Sequence, residues 1–104
     1  MMQDEGRITL QIGNIRNHYL RLSSILEMFP PDAIGGPNKA EMGVPIEVKF
    51  EPGSTTQTDI DGSKLMFRNR GAVREFFESS AAEVGHVVVV QKLSARKFNI
   101  YLES

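Results

Sequence analysis

The sequence predicts a mainly β domain, an open barrel of about seven short strands with two short α-helices. Three observations carry this. Apolar residues alternate with period two in short runs, as in Ile46-Glu47-Val48-Lys49-Phe50. Turn chemistry recurs between the runs, in Glu51-Pro52-Gly53-Ser54 and in Asp61-Gly62. One longer segment has helical spacing, with Val73, Phe76 and Phe77 on a common side. The edges of so small a sheet are best hidden by near-closure.

The elements follow in order. The start, with Asp4 and Glu5, is expected to fray over residues 1–6, leaving 7–104 as a single domain. Arg7 to Ile12 reads as a strand with Ile8, Leu10 and Ile12 on one face, broken at Gly13-Asn14. Tyr19 to Leu22 resumes as a short strand with Leu20 and Leu22 inward. Ser23 or Ser24 can cap a helical turn over Ile25 to Phe29, which Pro30-Pro31 ends. Residues 31–45 form a long loop rich in glycine and proline. Ile46 to Phe50 and Thr55 to Ile60 make a hairpin, and Leu65 to Arg68 leaves the Asp61-Gly62 turn as another strand. A helix covers roughly 71–80. Val87 to Val90 is apolar throughout and reads as a strand buried on both faces. The chain turns over Leu93 to Lys97, and Phe98 to Leu102 closes the sheet.

A chain of 104 residues is one domain by length and buries roughly two-thirds of its unfolded surface without a covalent staple. It has no cysteine, so disulfide and thiolate chemistry are excluded, which fits a reducing, cytoplasmic setting. No apolar run approaches membrane-spanning length, and Met1-Met2-Gln3-Asp4-Glu5 is unlike a signal peptide. Net charge is −1, which taken alone argues against nucleic acid. The distribution argues otherwise. Residues 13–22 and 57–74 hold Arg16, Arg21, Lys64, Arg68, Arg70 and Arg74 against only Asp59 and Asp61. Two locally basic segments thus sit on an acidic body, and if they meet in space the fold has a positive face. The structural alternative is chance clustering.

The stretch Arg70-Gly71-Ala72-Val73-Arg74-Glu75-Phe76-Phe77, followed by Val84-Gly85-His86 and Val87 to Val90, has a specific order. It resembles the B3-like DNA-binding pseudobarrel, a family that includes plant transcription-factor domains and the recognition domains of some bacterial restriction endonucleases. The resemblance covers about residues 7–102. His86 stands where the family often has Asp, and no tryptophan precedes the helix. The short second strand and the absence of the plant-type N-terminal motif look more like the restriction-enzyme branch. The resemblance implies two arms that enter the DNA major groove from one open side of the barrel. The first is Gly13 to Tyr19, and the second runs from about Gln57 to Lys64 with Arg68 and Arg70 downstream.

Residue chemistry supports the same segments. Arg16 can donate bidentately to guanine, Asn14 or Asn17 can pair with adenine, and Asp59 or Asp61 can accept from cytosine. Gln57 and His18 lie within the arms as further contacts. Lys64, Ser63, Arg68 and Arg21 suit phosphates, with Arg70 a further contact downstream of the second arm. Each has a structural alternative. Asp59 and Asp61 are base readers or turn formers, Asn14 and Asn17 equally good loop formers, and His18 a contact or a packed edge residue. Arg74, four before Glu78, reads as a solvated face residue, Phe76 and Phe77 as core, and His86 as structural.

Two histidines and no cysteine supply a zinc site poorly, and no phosphate loop or nucleophile set has useful context. The expected function is sequence-specific binding of double-stranded DNA, with no catalysis, metal, cofactor or membrane. The domain would be the recognition module of a restriction-modification or regulatory protein, with a nuclease domain in the same or another chain as the further expected partner. Asp32 with Glu47-Val48-Lys49 has the spacing of the PD-(D/E)xK Mg²⁺ nucleases. That nuclease reading, and a protein-interaction β-domain that leaves DNA alone, are the alternatives. A swapped-hairpin barrel of the AbrB type is disfavoured by length.

Overall fold

Period-two alternation and clustered turn residues give a mainly β structure in the computed structural model, which describes residues 4–104. The first strand, β1 (Glu5–Thr9), is followed by a short helix α1 (Ile12–Asn17), two 3₁₀ turns (Ser23–Met28 and Pro31–Ala33), β2 (Ile34–Gly35) and a third 3₁₀ turn (Lys39–Glu41). Then come β3 (Ile46–Glu51), β4 (Thr55–Thr58), β5 (Ile60–Asp61), β6 (Met66–Phe67), α2 (Arg70–Ser80), β7 (Val87–Ser94) and β8 (Lys97–Leu102). The described strands form two sheets, one of five in the order β1-β7-β8-β3-β4 and one of three in the order β2-β5-β6. Among the described residues no helix is long and apolar enough to cross a membrane.

Several boundaries differ from expectation. Glu5 and Gly6 belong to β1, paired with Gln91 and Val90, so the start is ordered from there; residues 1–3 lie outside the described residues. The expected first strand stops before Ile12, which is 57% exposed and opens α1. The cause is local. Asn14 Oδ1 accepts the Gln11 N–H at 2.8 Å and Asn14 Nδ2 donates to the Tyr19 carbonyl at 3.1 Å, which folds the expected break into a helical turn. Tyr19 to Leu22 contributes only an isolated bridge, Arg21 with Met66, with Leu20 and Leu22 both buried. The expected strand over 55–60 divides at Asp59, with β4 in the large sheet and β5 in the small one. The long loop carries β2, which pairs in parallel with β5.

The valine run behaves as its composition demands. Val88 and Val90 enter the main core, while Val89 is buried on the opposite face in register with Arg7 and Tyr101. All six phenylalanines are buried. They form one chain of ring contacts: Phe98–Phe29 at 4.7 Å, Phe29–Phe67 at 5.8 Å, Phe67–Phe50 at 6.3 Å, Phe50–Phe76 at 5.5 Å and Phe76–Phe77 at 5.9 Å. That chain joins both sheets to α2, and such pairs add to simple area burial. Helix α2 buries Ala72, Val73, Phe76 and Phe77 and packs on β3. Its N-cap, Asn69, accepts the Ala72 N–H at 3.1 Å and ties back to β4 through Thr56 and Thr58. Arg74 pairs with Glu78 on the solvated face, and His86 Nδ1 accepts the Glu83 N–H at the turn into β7.

Candidate nucleic-acid interface

The two basic segments lie side by side. The first returns from α1 through His18, whose φ of 54° turns the chain in the left-handed region. It then runs past Arg21, bridged to Met66, and the Leu22 N–H donates to the Leu65 carbonyl at 2.8 Å. From the other side, the guanidinium of Arg70 donates to the Asn17 carbonyl. A cleft of about 470 Å³ opens between the segments, lined by Asn17, Tyr19, Arg21, Ser63, Lys64 and Arg70. A second cleft of about 620 Å³ adjoins it, and both share Lys64, Met66 and Arg70.

The turn that carries Lys64 is built by Asp61. Its Oδ1 accepts from the Ser63 hydroxyl at 2.7 Å, the Ser63 N–H at 2.9 Å and the Lys64 N–H at 3.2 Å. These bonds, the Ser63 hydroxyl foremost, hold the carboxyl below its ordinary pKa. Gly62 is required because a Cβ there would stand 2.5 Å from the Gly35 carbonyl.

Arg68 and Asp59 form the other fixed point. Asp59 is fully buried; Arg68 Nε meets its Oδ1 at 2.7 Å and a terminal nitrogen meets its Oδ2 at 3.0 Å. Burial alone would raise the Asp59 pKa. The Arg68 hydrogen bonds, the Gly43 N–H and the Arg68 charge outweigh it, so the carboxyl lies below its ordinary value. The Asp59 hydrogen bond in turn raises Arg68.

For three candidate base readers these contacts match the structural alternative. Asn14 is 5% exposed and Asp61 8%, and Asp59 has no exposure at all. Their polar atoms serve the two segments internally, since a buried carboxylate or amide must find its partners within the fold. Arg68 is largely committed in the same way, with its side chain 18% exposed. The remaining expected residues differ in placement. Asn17, Arg21, Ser63, Lys64 and Arg70 line the first cleft and Gln57 the second. Arg16 is exposed on α1 outside both clefts, and His18 is half-buried at the end of that helix.

Charge is distributed unevenly. Among the described residues, Arg7, Lys49, Arg68, Arg74 and Arg96 have carboxylate partners. Arg16, Arg21, Lys39, Lys64 and Arg70 form no ion pair among the described residues, and all five lie on α1 or on the cleft walls. The other two cations without such a pair, Lys92 and Lys97, belong to the β7–β8 hairpin. Helix α2 adds to this field. It begins at the cleft with Arg70 and carries no acid in its first turn, so its positive dipole end is uncompensated.

The loop over residues 36–43 was not singled out by sequence, yet Pro37, Lys39 and Met42 line the second cleft. The only sequence signal was the glycine spacing at Gly35-Gly36 and Gly43, which marks close backbone approach without saying to what. Asp32 lies in a 3₁₀ turn with its carboxylate on Arg96 at 2.8 Å, while Glu47 is on β3. Among the described residues no group of three or more Asp, Glu or His is placed to hold a metal ion. No family model, curated protein or solved structure matches the chain.

Proposed function

We propose that this domain binds double-stranded DNA with sequence specificity, as a B3-like open barrel that presents two arms to the major groove. The observation that carries the reading is the gathering of Arg21, Lys39, Lys64 and Arg70, none of them ion-paired among the described residues, on the walls of two adjoining clefts built by segments far apart in sequence, with Arg16 exposed on the neighbouring α1. Cations held near one another without counter-charges repel, and a polyanion relieves that repulsion.

Within this reading Lys64, Ser63, Arg21 and Arg70 contact phosphates and set register, with the start of α2 reinforcing them. Arg16 and Asn17 from the first arm, and Gln57 from the second, read base edges. Asp61 and Asn14 shape the arms, and Asp59 with Arg68 anchors the second. The domain performs no chemistry itself and serves a restriction-modification or regulatory protein that acts elsewhere.

Selection from a random duplex library tests this. The reading expects enrichment of a short motif, with affinity falling steeply between about 50 mM and 200 mM salt. Failure of every duplex to bind at low salt would overturn it.

A further inference from the structure

Arg68 does more than neutralise Asp59. Its terminal nitrogens also donate to the Gly36 carbonyl at 2.7 Å and reach the Pro37 carbonyl at 3.5 Å. Asp59 Oδ2, from the other side of the pair, accepts the Gly43 N–H at 2.7 Å. One buried ion pair thus grips both ends of the 36–43 loop. The loop is closed on itself as well, with the Gly36 N–H on the Glu41 carbonyl at 2.9 Å and the Glu41 N–H on the Asn38 carbonyl at 2.8 Å. The fit is tight, because a Cβ on Gly43 would stand 2.5 Å from the Asp32 carbonyl. A glycine-bearing loop of this kind would ordinarily be mobile. Here it is fixed against the second arm, with Lys39 on the wall of the cleft that also holds Lys64 and Arg70.

We propose that the 36–43 loop is a third contact element of the duplex-binding face, in which Lys39 meets a phosphate and Arg68 acts as its positioning residue. The inference rests on the duplex-binding reading of that face. Lys39 forms no ion pair among the described residues. The one acid in the loop, Glu41, is exposed and accepts a hydrogen bond from Asn38 Nδ2 at 2.9 Å. A rigid mount matters because a lysine on a fixed loop loses less freedom when it meets phosphate than one on a mobile loop.

The test is fluorescence anisotropy with a duplex the wild type selects, across a salt series. Lys39→Ala is expected to weaken binding by roughly fivefold and to reduce the log–log salt slope by about one, with thermal stability unchanged. Glu41→Gln is expected to strengthen binding, and Lys97→Ala, on the β7–β8 hairpin, to leave affinity and slope as they are. Arg68→Lys keeps the charge and loses the fork. In that background Lys39→Ala is expected to have a much smaller effect, a non-additivity that a purely stabilising arginine would not produce. If the wild type binds and Lys39→Ala matches it in affinity and slope, the third contact is refuted while the two-arm reading stands. Full additivity of the two changes would refute the positioning role. If no duplex binds the wild type, both readings fall together.

Discussion

Arg70, the first residue of α2, donates its guanidinium to the backbone carbonyl of Asn17 at the end of α1. Two segments whose joined residues lie 53 positions apart in sequence are thereby held as one surface. The Arg21–Met66 bridge and the Leu22 to Leu65 hydrogen bond make the same junction from below. The side chain of Arg70 serves both as a strut and as a wall of the cleft.

That junction separates two kinds of substitution. Lys64→Ala should weaken all duplexes to a similar degree and flatten the salt dependence, since a phosphate contact carries no sequence information. Arg16→Ala should instead relax preference at one base pair, by about 1–3 kcal/mol of discrimination. Competition binding against single-base variants of the selected site distinguishes them. Unchanged preference and affinity in Arg16→Ala would remove Arg16 from the reading surface.

The Arg68–Asp59 pair should be costly to break. Asp59→Asn leaves a largely buried guanidinium without its counter-charge, and loss of one partner of a buried pair costs about 3–5 kcal/mol. The partial exposure of Arg68 puts the expected value at the low end. Urea unfolding measures it; a cost below about 1 kcal/mol would mean the pair stabilises no more than a surface one.

Acid should destabilise the domain through the same groups. The carboxyls of Asp59 and Asp61 lie below their ordinary pKa in the folded state. The unfolded chain therefore takes up their protons first as pH falls. Their contribution is fully present above the unfolded pKa of about 4, and is lost as pH drops through the lower native values. Thermal midpoints followed downward from about pH 5 should fall. Asp61→Asn, which keeps the turn geometry, should flatten that fall.

The phenylalanine chain predicts the largest core effects. Phe67 touches both Phe29 and Phe50 and is 1% exposed, so Phe67→Ala opens a cavity between the two sheets. The expected loss is about 3–5 kcal/mol by urea unfolding, against under about 1 kcal/mol for Arg74→Ala on the solvated face of α2.

Much of this architecture was legible where a signal is local. The alternation in Ile46 to Phe50 gave β3, the Val73, Phe76 and Phe77 spacing gave α2, and Pro52-Gly53 and Asp61-Gly62 gave turns that the structure contains. What failed depended on partners distant in sequence. The apolar alternation through Ile12 was overridden because Asn14 caps back onto Gln11 and draws the chain into α1. The strand over 55–60 was cut because Asp59 points to Arg68 and Gly43 rather than continuing the pairing. The same limit applies to the site. Residue type marked Lys64, Arg21 and Asn17, which line the cleft, but marked Asp59 equally, and only its partners show that it is buried. Nothing in the sequence neighbourhood of Lys39 tells that Arg68 brings its loop to the cleft.

The most direct test is a map of amide chemical shifts during titration with a selected duplex. The account predicts that perturbations concentrate in residues 14–21 and 57–70, with the 36–43 loop beside them, and spare the β7–β8 hairpin around Lys92 and Lys97. Perturbations centred on that hairpin, or confined to one arm alone, would contradict a face built from both.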